Sequence, residues 1–159
     1  MNIVLTRIDN RLIHGQVAVT WCHHTNANLI VVVNDKVAKD EIRKNIMNMA
    51  VPPGVGVRYF TVDEAVLKLP KASPKQFIML VVETPQDVLR LVEAGIPIKT
   101  VNVGNMHYSE GKVQISSTVS VSQDDIDTFK KLISKGVKCI IQRVPTEKGV
   151  DIEELINNL

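Results

Sequence analysis

The sequence predicts an α/β fold, with residues 1–159 forming one domain around an open, mostly parallel β-sheet that carries helices on both faces. Three observations lead there. Short β-branched apolar runs recur, segments of helical spacing lie between them, and turn or cap residues mark the joins. A chain of 159 residues with 45% hydrophobic content is long and apolar enough to bury a core, so disorder and several domains are both disfavoured.

Taken in order, the runs at 3–7, 29–34, 57–60, 77–82, 100–103 and 137–142 read as strands. Most are continuous apolar stretches, such as Leu29-Ile30-Val31-Val32-Val33, as expected of strands covered on both faces. Segments 16–24, 36–49, 62–69, 85–94 and 123–134 read as helices, and 152–159 as a short closing helix. Thr84 is an N-cap before Pro85 at the first helical position, and Gly95 ends that helix. Ser122 caps the next, with Asp124 and Asp125 in its first turn, lysines toward its end and Gly136 as its stop. Ile126, Phe129, Leu132 and Ile133 fall on one side of it and read as core. Segment 111–121 alternates apolar and polar residues at its start and end, which suggests extended structure near a sheet edge.

Composition excludes several function classes. The 19 Lys+Arg against 17 Asp+Glu leave no strong field for nucleic acid or an anionic membrane. The longest apolar runs fall far short of the roughly 20 residues a membrane span needs. No secretory signal is visible at the N-terminus, so a cytoplasmic location is expected. Cys22 and Cys139 sit in hydrophobic surroundings that suit reduced, buried thiols.

In open parallel sheets ligands bind at the carboxyl ends of strands, which directs attention to the loop after the first strand. It reads Arg7-Ile8-Asp9-Asn10-Arg11-Leu12-Ile13-His14-Gly15-Gln16 and gathers two arginines, a carboxylate and an imidazole before a helix. Gly15 lets a bulky anion approach the backbone N–H groups that open the helix from Gln16. A neutral His14 has a lone pair for attack, and Arg7 or Arg11 can pair with the oxygens of a phosphoryl group in transfer. Asp9 either fixes the His14 tautomer or orients an arginine, with the arginine favoured. Leu12, Ile13 and Met106 are either contact area at this mouth or ordinary packing.

Other chemistries lack support. There is no Gly-x-Gly-x-x-Gly and no phosphate loop ending in Gly-Lys-Ser or Gly-Lys-Thr, so dinucleotide and nucleoside-triphosphate cradles have no support, and the absence of Gly-x-Ser-x-Gly disfavours hydrolysis. Cys22, His23 and His24 are successive helical residues about 100° apart and cannot all reach one metal ion. A receiver-type aspartyl phosphate site would need a richer acidic cluster than Asp35 offers. Asn105 and His107, in the polar loop after the fifth strand, are candidates for partner or substrate contact, with a plain exposed loop as the equal alternative for His107.

The stretch from Arg7 through His14 to Val17, with Asn34-Asp35, Asn102-Val103-Gly104-Asn105-Met106 and Gln142-Arg143-Val144-Pro145, resembles the IIB components of the mannose-type branch of the bacterial sugar phosphotransferase system. The resemblance implies a protein-Npi-phosphohistidine–sugar phosphotransferase, with His14 accepting a phosphoryl group from a IIA protein and passing it to a sugar brought in by membrane subunits IIC and IID. It implies Arg11 as the transition-state ligand, with Arg7, Gly15 and Gln16 around the phosphate and Asp9 in support. It further implies location at the inner membrane face through IIC and IID, a homodimer, and no cofactor or metal. Residues 102–112 look most like the N-acetylgalactosamine or galactosamine subgroup; mannose, fructose and sorbose are the alternatives. The competing function is a noncatalytic α/β module that binds a phosphorylated small molecule with the same arginines.

Overall fold

The computed structural model describes residues 1–159. Its main sheet follows the order β3-β2-β4-β1-β5-β8-β9, formed by β1 (Asn2–Asp9), β2 (Leu29–Val33), β3 (Gly56–Phe60), β4 (Phe77–Val82), β5 (Thr100–Asn105), β8 (Lys138–Ile141) and β9 (Val150–Asp151). Every pairing is parallel except that of β8 with β9. The expected fold class is therefore observed.

Strand alternation splits the core in two. Leu29, Val31, Val33, Ile78, Leu80 and Val82 face the larger apolar cluster, while Ile30, Val32, Met79 and Val81 face the smaller one. The larger cluster packs under α3 (Val62–Lys68), α4 (Pro85–Glu93), α5 (Gln123–Ser134) and α6 (Ile152–Ile156), and the smaller under α1 (Gly15–Thr25) and α2 (Glu41–Asn48). Each fully buried Val, Ile or Leu stabilises the fold by about 1.5–3 kcal/mol. Because α1 leaves β1 on one face and α4 reaches β5 on the other, the crevice above the C-terminal end of β1 is a topological switch point.

Local chemistry sets the helix ends. Thr84 and Ser122 accept hydrogen bonds from the Asp87 and Asp125 amides, and Ser122 with Asp125 completes a capping box. The helix expected over 36–49 begins later: Asp40 is extended and accepts from the Arg43 amide, which separates a 3₁₀ turn at Val37–Lys39 from α2. The closing helix stops at Ile156, short of 159. Segment 111–121 is not at the lateral edge. It forms a small antiparallel pair, β6 (Val113–Gln114) with β7 (Ser120–Val121), joined to the end of β5 by a Met106–Val119 bridge. No helix is long and apolar enough to cross a membrane. Both cysteines are free and buried, and burial pushes the Cys139 thiol up to about 12.

Candidate active site

Residues two apart on a strand share a face, so Arg7 and Asp9 project together while Ile8 enters the larger core. Register places Asn102 of β5 directly opposite Arg7. Past Asp9 the chain turns tightly: the Leu12 amide donates to the Asp9 carbonyl at 2.9 Å, and Leu12 takes φ +60. A left-handed leucine costs about 1–2 kcal/mol. Leu12 and Ile13 are held there by burial in the smaller core. His14 then sits extended at the N-cap of α1, and Gly15, at φ +46, swings the chain into the helix.

Asp9 organises this turn. Its carboxylate is fully buried; one oxygen accepts the Arg11 amide at 3.0 Å, and the other receives both His14 Nε2 at 2.9 Å and Arg7 Nη2 at 3.2 Å. Burial alone would raise its pKa. The hydrogen bonds from His14 and the Arg11 amide, with the charge of Arg7, instead hold it below the ordinary carboxylate value. An ionised carboxylate only accepts, so Nε2 carries the proton and Nδ1 of the neutral ring carries the lone pair. Asp9 thus contacts the imidazole and an arginine at once, where the sequence favoured the arginine.

The imidazole is 18% exposed, and Nδ1 makes no hydrogen bond within the chain. The α1 N-terminus beside it has no side-chain cap and no acidic residue in its first turn, so its leading N–H groups lack protein acceptors. Gly15 and Gln16 are exposed there. Arg11 is exposed as well, and its guanidinium forms no ion pair or hydrogen bond with the rest of the chain. The arrangement provides a nucleophilic nitrogen, a free cation and unpaired N–H donors in one loop, which is the chemistry of an anion that is bound and attacked.

Arg7 departs from its expected place around the phosphate. It is 3% exposed, and its terminal nitrogens donate to Asn102 Oδ1, the Gln142 carbonyl and Asp9, so it lies beneath the loop. The reason is its position inside β1, two residues before the strand ends. Leu12, Ile13 and Met106 are all buried, so packing accounts for them. Asn105 pins the loop: its carbonyl accepts the Asn10 amide at 3.0 Å, and its side chain donates to Asn10 Oδ1. His107 is exposed and shares a cavity of about 60 Å³ with Asn10, Glu83, Met106, Lys112 and Asp125, a lining that does not include His14. Cys22 turns into the core while His23 and His24 face outward. The surroundings of Arg7 include Trp21, whose ring centroid lies 5.5 Å from its guanidinium carbon. Sequence reasoning gave Trp21 no role; a polar Asn102 inside an apolar strand was the available signal for a buried partner.

Comparison with known proteins fits this geometry. The sequence matches the family described as PTS system sorbose subfamily IIB component over residues 3–159. It is 48% identical over 155 residues to the N-acetylgalactosamine-specific phosphotransferase enzyme IIB component 2 of Escherichia coli K12, covering 98% of this chain and 99% of that one. It is 42% identical over 162 residues to the mannose-specific EIIAB component of the same organism, covering 100% of this chain and 50% of that one. The crystal structure of the N-acetylgalactosamine-specific IIB component 1 from Escherichia coli superposes with a TM-score of 0.90 at 50% identity, covering 93% of this chain and 97% of that one.

Proposed function

The chain belongs to the sorbose-subfamily IIB components of the sugar phosphotransferase system, and from that premise we propose that it is a phosphocarrier whose His14 relays a phosphoryl group from a IIA protein to a sugar. The observation that carries this reading is the 2.9 Å contact between Asp9 and His14 Nε2, which leaves Nδ1 as the nucleophile. In the first step the Nδ1 lone pair attacks the phosphorus of phosphohistidine on IIA. A new N–P bond forms, the donor's N–P bond breaks, and its electron pair returns to the donor imidazole. In the second step a sugar hydroxyl oxygen attacks the phosphorus, the His14 N–P bond breaks, and the hydroxyl proton passes to the medium. Arg11 and the N–H groups from Gly15 and Gln16 stabilise the charge spread over the equatorial oxygens.

The IIA donor is supported by the mannose relative, which is named as an EIIAB component and of which this chain matches half. The membrane subunits IIC and IID are inferred as the acceptor's carriers, which places the protein in the cytoplasm at the inner membrane face. N-acetylgalactosamine or galactosamine is the sugar favoured, because the relative named for N-acetylgalactosamine is 48% identical and the one named for mannose 42%.

Incubation with labelled phosphoenolpyruvate, the general phosphotransfer proteins and IIA tests the relay. Acid-labile, base-stable phosphate is expected on the wild type and none on His14→Ala; label retained by His14→Ala would move the phosphate to another residue and overturn the assignment, and a wild type that takes no covalent phosphate would favour the noncatalytic binding module. Complementation of uptake across amino sugars and hexoses tests the sugar.

A further inference from the structure

We propose that Arg7 is a positioning residue for the phosphocarrier site, a buried cation laid on the Gly104 backbone that locks Asp9 against His14 Nε2 and so keeps Nδ1 free. The proposal deepens the phosphocarrier reading and rests on it for the reaction that His14 performs.

The argument begins with what a guanidinium needs underground. A buried charge is tolerated only when it is paired and hydrogen-bonded, and truncating one partner leaves the other exposed to the full desolvation penalty. Arg7 has such partners on three sides. One terminal nitrogen donates to Asn102 Oδ1 and to the Gln142 carbonyl at 3.2 Å, and the other donates to Asp9 Oδ2 at 3.2 Å. Asn102 in turn donates its own amide to the Gln142 carbonyl at 3.1 Å, which turns its oxygen toward Arg7. Trp21 of α1 lies beside the guanidinium, and its indole donates to the Arg143 carbonyl at 3.0 Å, which holds the ring in place.

Gly104 makes the geometry possible. A Cβ at that position would stand 2.1 Å from both the guanidinium carbon and Nη2 of Arg7. No side chain fits there, so the glycine is required for space and not for backbone freedom. The enclosure is nearly complete but not ideal, since Arg7 Nε is buried without a partner. An arginine kept in such a place, when an aliphatic side chain would avoid the unmet donor, points to a task.

That task is visible at Asp9. Arg7 Nη2 and His14 Nε2 converge on the same carboxylate oxygen, while the Arg11 amide occupies the other. Removing Arg7 leaves the buried carboxylate with one charged neighbour fewer and frees its rotation. The hydrogen bond that fixes the Nε2–H tautomer of His14 then loosens, and the other tautomer becomes populated.

The test is ¹⁵N NMR of the imidazole in the unphosphorylated full chain, beside the rate of phosphoryl acceptance from phospho-IIA. The wild type should show Nε2–H alone. Arg7→Met should lose that signature and slow acceptance by about tenfold to a hundredfold, the equivalent of one charge-assisted hydrogen bond. Arg7→Lys, which returns a cation to Asp9, should recover part of both. An unchanged spectrum and rate in Arg7→Met would overturn the proposal, as would a slowed rate with an unchanged spectrum. If Arg7→Met does not fold, Asn102→Ala removes a single acceptor from Arg7 and must move both readouts in the same direction; no movement there overturns it equally. Should the wild type take no phosphate, the phosphocarrier reading falls, while the spectrum, which needs no phosphate, still decides the role of Arg7.

Discussion

Asp9 Oδ2 sits 2.9 Å from Nε2 of His14, five residues further along the chain, across a turn that closes on a left-handed leucine. This contact chooses between the two ends of the imidazole. The phosphate is therefore expected on Nδ1, and ³¹P–¹⁵N correlation spectra of the phosphorylated protein would read the attachment directly; phosphate on Nε2 would contradict it. Asp9→Asn, which keeps the shape and removes the charge, should slow phosphoryl acceptance by roughly a hundredfold or more.

Arg11 lies on the same turn with a different burden. Its amide belongs to the turn, through Asp9, but its guanidinium makes no hydrogen bond or ion pair in the chain. Arg11→Ala should therefore leave stability within about 0.5 kcal/mol of the wild type, while slowing transfer by about 10³-fold, as expected on loss of a transition-state cation. Thermal melts and rapid-quench phosphorylation separate the two effects. A melting temperature that falls in step with the rate would make Arg11 structural.

The two limbs of the pH–stability profile have different owners. The native Asp9 lies below its ordinary value, so its contribution is full above the unfolded carboxylate range, near pH 4, and is lost as pH falls through the lower native value. Asp87, raised by burial against the pull of Arg90, works in the opposite sense. At the alkaline end burial holds both Cys139 and Tyr59 at about 12, so the unfolded thiol and phenol ionise first and stability declines as pH rises from about 9 toward 12. Denaturant midpoints across pH should show the acid limb flattened in Asp9→Asn and the alkaline limb flattened in Cys139→Ala. Wild-type slopes in both variants would refute the assignment.

The α/β class was legible because strands covered on both faces must be continuous apolar runs, and stretches such as Phe77–Val82 have no other use for such residues. The candidate loop was legible because Arg11, His14 and Gly15 are polar or permissive residues crowded where a strand gives way to a helix. Arg7 could not be placed the same way. Alternation tells which face a side chain takes but not how deeply it lies, and its depth follows from β1–β5 register with Asn102, 95 residues away. The β8–β9 antiparallel pair was likewise hidden, since two residues at Val150–Asp151 carry no period. Asp40, which splits the helix expected over 36–49, is a capping residue whose local signal lost to the surrounding helical spacing.

Leu12 offers a case in which two effects of known size compete. Its backbone is left-handed at φ +60, a strain of about 1–2 kcal/mol that glycine would relieve. Its side chain is 3% exposed and packs in the smaller core with Ile13 and Trp21, and deleting a buried leucine costs about 2–5 kcal/mol. Burial wins, so Leu12→Gly should be destabilised by roughly 1–3 kcal/mol, the difference between those terms. It should also slow phosphoryl acceptance, because the turn that presents His14 to Asp9 is clamped by this one side chain. Chemical denaturation and the acceptance rate check both statements. A variant as stable as the wild type would show that the turn is held by its hydrogen bonds alone, the Asn10 amide on the Asn105 carbonyl and the Leu12 amide on the Asp9 carbonyl.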